Sequence, residues 1–144
     1  MTESCVAMTR INVIPVEELS DQWLLAEYRE LPRIIKTDRV YIGDAPERYK
    51  LGKGHVKFMV KHAIFCLNRY AFICDEMEYR GFKVNYPYED LDKLADDKQI
   101  AWYSEIFIPD KSDIQINRQR LIEKYRMKPN YYKWTNRTKP EWLN

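Results

Sequence analysis

The sequence predicts an all-α, compact single domain of three main helices joined by long ordered loops. Apolar residues recur at helical spacing in three stretches, near residues 21–35, 60–80 and 112–126. The segments between them are punctuated by Gly and Pro, and none offers an alternating run with a partner strand. The chain has 144 residues, 45% hydrophobic and 32% charged, which suits one folded unit with one core rather than a disordered chain.

Residues 1–7, MTESCVA, carry no pattern and are expected to be a disordered extension, or sequence ahead of the true start. The domain is then residues 8–144, opening on the polar strip Met8-Thr9-Arg10-Ile11-Asn12. From Asp21 to Ile35, the residues Leu24, Tyr28, Leu31 and Ile35 form an apolar helical stripe. Gln22, Ala26, Arg29 and Arg33 share the opposite side, with Trp23 and Glu30 on its flank. Ser20 or Asp21 can cap the start, and Pro32 should kink the helix.

Residues 36–54 read as loop, with Leu51 to His55 as a glycine-flanked turn that lacks the residues of a phosphate-binding loop. A second helix is expected from Val60 to Arg80, stopped by Gly81. Ala63, Leu67, Tyr70, Cys74 and Met77 should face the core, widened by Ile64, Phe72 and Ile73. A short helix over Glu89–Leu94 and an ordered loop over Ala101–Pro109 follow. Ser112-Asp113-Ile114-Gln115 reads as a capping box opening a third helix that runs to about Arg126. There Ile114, Leu121 and Tyr125 should face inward, while Asn117, Arg120 and Lys124 line another face.

The composition excludes several classes. No apolar run is long enough to span a membrane, and the N-terminus lacks the regions of a signal peptide, so a cytosolic protein is the default. Cys66 and Cys74 lie about 12 Å apart along one helix, too far for a disulfide, and are expected to be buried thiols. His62 and Cys66 are four apart but make a poor zinc site by themselves, so no metal and no cofactor are expected. The net charge of +2 is unevenly spread. Residues 86–113 hold eight acids against three lysines, whereas residues 126–142 hold five cations against Glu141 alone. Such asymmetry fits a polyanionic partner on one face, but on charge alone a solvated surface with chance clustering is the stronger reading.

Met8-Thr9 has chemical potential. A chain that starts at Met8 and loses it exposes an α-amino group on Thr9, whose reference pKa of about 7.7–8.0 lies well below that of lysine. Arg10, Arg29 and Arg33, if close, would lower it further, making a nucleophile for a Schiff base with a sugar. Glu30 sits between Arg29 and Arg33; it is either a surface ion pair or a carboxylate that stabilises positive charge and shuttles protons. The tail alternates Tyr131, Tyr132, Trp134 and Trp142 with Lys133, Arg137 and Lys139. That pattern holds nucleic-acid backbones and stacks on bases, or simply finishes a core; both readings stand level.

The strings MTRIN, ELSDQWLLAEYRELPR, GKGHVKF, RGF and RQRLIEKYRMKPNYYKW, in that order, resemble the phage pyrimidine-dimer DNA glycosylase/AP lyase family of the coliphage endonuclease V type. The resemblance runs from about Met8 to Trp134. It implies a helical, metal-free enzyme acting on ultraviolet-damaged duplex DNA, where a terminal threonine amine attacks the sugar's anomeric carbon and β-elimination then nicks the strand. By resemblance the nucleophile is Thr9 and the essential carboxylate Glu30. Arg10, Arg29, Arg33 and Gln22 would hold the DNA, joined by Arg120, Lys124, Tyr131, Tyr132 and Lys133. An extruded nucleotide and a sharp DNA bend are expected. A monomer fits the size, and the resemblance suggests a phage-encoded protein working in the host cytoplasm. Trp23 stands where the family has histidine, and Tyr131-Tyr132 where it has a Trp-Tyr pair. If residues 1–7 stay attached, the alternative is a non-catalytic damaged-DNA-binding module.

Overall fold

The structure, a computed structural model, describes residues 11–144. Thr9, Arg10, Cys5 and the expected extension lie outside them. Among the described residues there are five α-helices: α1 (Asp21–Lys36), α2 (His55–Lys61), α3 (Ala63–Tyr79), α4 (Tyr88–Asp97) and α5 (Lys111–Met127). Short 3-10 turns accompany them, and no strand occurs among the described residues. The all-α expectation holds, with five helices in place of three.

Helix α1 follows its periodicity. The Ser20 hydroxyl caps it, accepting the Trp23 N–H at 3.1 Å. Leu24, Leu31 and Ile35 are fully buried, and Tyr28 stacks on Tyr70 of α3 with centroids 5.7 Å apart. Arg29 and Arg33 face solvent. The helix continues past Pro32 to Lys36. Its main packing partner is α3, whose Ala63, Leu67, Tyr70, Cys74 and Met77 are buried as the spacing requires.

The helix expected over residues 60–80 begins earlier and is broken at His62, where φ is −117° and ψ is 45°. The reason lies forty residues away. Ser104 Oγ accepts the Ile64 N–H at 3.0 Å, and the Lys61 carbonyl accepts the Glu105 N–H at 2.9 Å. These partners satisfy helix-end groups that a continuous ladder would otherwise use. Gly81, at φ 86°, ends α3 as expected, in the left-handed conformation that favours glycine. Phe72 does not widen the core face; it is 63% exposed, on an outer stripe with Phe65 and Tyr79 at seven-residue spacing.

Helix α4 is longer than its expected Glu89–Leu94 span, and Leu91 and Ala95 anchor it. The capping box of α5 is Asp110–Asp113, not one opened at Ser112. The Asp110 carboxylate accepts the Asp113 N–H at 2.9 Å, and Asp113 returns the bond to the Asp110 N–H at 3.0 Å. A carboxylate outcompetes a hydroxyl here because it also complements the helix dipole. Leu121 is buried, and Ile114 and Tyr125 are half-buried.

The strip after residue 10 is not polar surface. Ile11, Asn12, Val13 and Ile14 are all buried and held by side chains. Asn117 Oδ1 accepts the N–H groups of Val13 and Ile14 at 2.7 and 3.2 Å, and Asn117 Nδ2 donates to Asn12 Oδ1 at 2.7 Å. Asn117 therefore faces the core rather than sharing an outer face with Arg120 and Lys124. Asn12 Nδ2 donates to Glu27, which is ion-paired with Arg69, and Arg69 donates to the Ile14 carbonyl at 2.7 Å.

The tail is bound back over the start of α1. Asp21 accepts from the Thr135 hydroxyl at 2.6 Å and from Arg80 at 3.0 Å, while the Trp134 and Trp142 indoles donate to Glu18. Glu76 of α3 accepts from Arg80 and from Arg137 of the tail. Burial pushes the Glu76 carboxyl up, but the Arg137 and Arg80 hydrogen bonds outweigh it and hold the group below its ordinary range. A carboxyl lowered in the folded state stabilises the fold above its unfolded value, and that stability is lost as pH falls through the folded value. Glu76→Gln is accordingly expected to cost about 3 kcal/mol at neutral pH, since it strips the charge from a buried pair. It should also flatten the stability loss that wild type shows below about pH 4.3; urea unfolding from pH 7 to pH 3 measures both.

Candidate active site

The outer face of α1 collects Gln22, Arg29, Glu30 and Arg33 along one helix, with the buried Trp23 beside its start. Arg33 Nη1 lies 3.1 Å from Glu30 Oε2, and the Glu30 side chain is only 12% exposed. Arg29 is exposed and makes no ion pair within 4 Å among the described residues. Burial pushes the Glu30 carboxyl up, Arg33 and then Arg29 pull it down, and burial prevails, so its pKa is raised. The group is a half-buried carboxylate with two guanidinium neighbours and a proton affinity closer to neutrality than a surface glutamate's. It can stabilise a nearby cation and also take up or release a proton.

The tail brings its aromatic and basic residues to the N-terminal end of the same face. Gln22 Oε1 accepts the Lys133 N–H at 3.1 Å, and the Asp21 N–H donates to the Lys133 carbonyl at 2.7 Å. Tyr132 lies against Trp23 with ring centroids 4.6 Å apart, and Trp134 meets Trp23 edge-on at 6.1 Å. Tyr131 is 56% exposed and edge-on to Tyr132 at 5.1 Å, with Lys128 Nζ 5.6 Å from its ring centre. Trp23 itself is buried, and its indole N–H finds no acceptor among the described residues. Tyr125 of α5 approaches Tyr132 at 6.1 Å, which sets the C-terminal end of α5, with Lys124, beside this cluster. Arg120, one turn earlier, is 3.7 Å from Glu123.

The structure thus joins Gln22, Tyr131, Tyr132 and Lys133 at one end of α1, and places Arg29, Glu30 and Arg33 two turns further along it. Thr9 and Arg10 lie outside the described residues. Sequence reasoning misses the groups that fix the chain just after them: Tyr49, His55, Glu27, Arg69 and Asn117. One signal could have found two of these. Glu27 and Arg69 are charges set within the apolar stripes of α1 and α3, where a lone charge would be costly and a pair is not. Among the described residues no three His, Cys, Asp or Glu side chains converge to hold a metal ion.

The family model described as pyrimidine dimer DNA glycosylase matches residues 8–90. The chain belongs to that family. The match spans α1, α2, α3 and the first turn of α4, so it contains Glu30 and the arginines around it. The protein is therefore a DNA-repair glycosylase, and pyrimidine-dimer DNA is what its family acts on. Helix α5 and the aromatic tail lie beyond the matched residues, yet the glycosylase fastens the tail to α1 by hydrogen bonds at Lys133.

Proposed function

We propose that the protein is a bifunctional DNA glycosylase and AP lyase for ultraviolet-induced pyrimidine dimers, working in the form that begins at Thr9. The α-amine of Thr9 attacks C1′ of the damaged nucleotide's deoxyribose. The C1′–N bond breaks, its electron pair leaves with the pyrimidine, and the attached amine loses a proton. The C1′–O4′ bond then opens, its electron pair taking a proton as the O4′ hydroxyl, while the nitrogen lone pair forms the iminium at C1′. A base removes the C2′ proton, and the electrons expel the 3′ phosphate, which nicks the strand. Glu30 stabilises the cationic sugar and carries the proton between these steps.

The observation that carries this reading is the Glu30 carboxyl, raised by burial yet set between Arg29 and Arg33. A carboxylate alone would repel DNA phosphates, and arginines alone would offer no proton carrier. Arg10, Arg29 and Arg33 would bind the phosphates flanking the lesion. Gln22, Arg120, Lys124, Tyr131, Tyr132 and Lys133 would hold the backbone and stack on bases near the lesion. A sugar carbon inside a duplex is out of reach, so the nucleotide must be extruded. Borohydride reduction of the imine tests the mechanism: a covalent protein–DNA adduct is expected on irradiated duplex DNA and not on undamaged duplex. Strand scission without any trappable adduct would exclude it.

A further inference from the structure

We infer that His55 and Tyr49 are positioning residues for the reacting amine, acting through Ile11. This rests on the Thr9 reading above. Ile11 is gripped at both backbone polar groups: its N–H donates to His55 Nε2 at 2.7 Å, and its carbonyl accepts from the Tyr49 hydroxyl at 2.9 Å. The grip is itself braced. His55 Nδ1 donates to the Lys50 carbonyl at 2.8 Å, which leaves Nε2 as the acceptor and fixes the tautomer. The Tyr49 ring stacks on Phe107 at 6.0 Å and meets Phe58 edge-on at 6.1 Å. Both Tyr49 and His55 are 2% exposed, so neither bond competes with water.

Placement, more than burial, gives this pair its meaning. Two residues of chain span about 7 Å at most, so whatever fixes Ile11 limits where the nitrogen of residue 9 can reach. A nucleophile displaced by about 1 Å loses on the order of a hundredfold in rate. The loop before α2 and the first residue of α2 thereby carry the mount for the nucleophile, while α1 carries the carboxylate.

The test compares Tyr49→Phe, His55→Leu and His55→Gln with wild type, each in the form that is trapped on irradiated duplex DNA. The readouts are the single-turnover trapping rate at saturating DNA, the KM for that DNA, and the melting temperature. Tyr49→Phe keeps the ring packing and should lower the saturating rate about tenfold, and His55→Leu about a hundredfold, with KM changed less than about twofold. His55→Gln presents an oxygen to Ile11 and an amide N–H to Lys50, and should recover most of the rate. Saturating rates equal to wild type, or losses confined to KM or to the folded fraction, would overturn the inference. Should His55→Leu fail to fold, Tyr49→Phe decides alone. A wild-type protein that is never trapped refutes the Thr9 reading itself, a result separate from any difference among the variants.

Discussion

Protein beginning at Thr9 will be trapped on irradiated duplex DNA by borohydride, and the same protein with residues 1–8 still attached will not. The contrast is chemical. A terminal α-amine has a pKa of about 7.7–8.0, so at pH 7.5 roughly a third of it carries a free electron pair. An amide nitrogen has none to give, because its pair is delocalised into the carbonyl. No side chain can compensate, since lysines with a pKa of about 10.4 hold roughly two- to three-hundredfold less of the free amine at that pH. The loss is therefore expected to reach the limit of detection. A chain starting at Thr2 is a useful control: it too ends in threonine, but seven residues separate that amine from Thr9. Mass analysis of the adduct identifies the reacting residue, and efficient trapping with residues 1–8 retained would remove Thr9 from the mechanism.

Glu30→Gln is expected to lower strand scission by about 10²–10⁴-fold, the range for loss of a positioned proton carrier. Glutamine keeps the shape and can still accept from Arg33, but it neither balances the iminium nor moves a proton. Binding should not suffer, because a negative charge is being removed from a surface proposed to hold phosphates. Stability should rise slightly, and the sign follows from the raised carboxyl. A carboxyl whose folded value lies above its unfolded one stabilises the fold fully below the unfolded value, and that contribution is lost as pH rises through the folded value. At neutral pH the ionised group is a net cost, and the substitution removes it. Scission, affinity for irradiated duplex and melting temperature measured together check the set. A Glu30→Gln protein that cuts normally, or one that loses DNA binding in step with cutting, would contradict the assignment.

Helix α1 and its two faces are legible in the sequence because the apolar stripe and the Ser20 cap are local signals. The break at His62 is not, because the apolar pattern runs on across it and the groups that permit it belong to Ser104 and Glu105. Periodicity misplaces Phe72 for a related reason: on a helix apolar on most sides, it does not say which side stays open. The tail's aromatics fit nucleic-acid binding and core completion alike, and its residues divide: Trp134 bonds to Glu18, while Tyr131 stays largely exposed. Asn117 reads as an outward residue because asparagine is mostly found on surfaces. The backbone N–H groups of Val13 and Ile14 and the Asn12 side chain, a hundred residues earlier, explain its burial.

The two buried cysteines of α3 give the protein an internal alarm for its own opening. Burial pushes the Cys74 thiol up to about 11 and raises Cys66 as well, and both are free. A thiol-specific reagent needs the thiolate and needs access, and the folded helix denies both. Cys66 is enclosed completely, so its modification marks the separation of α3 from the core and provides a clock for unfolding with no engineered label.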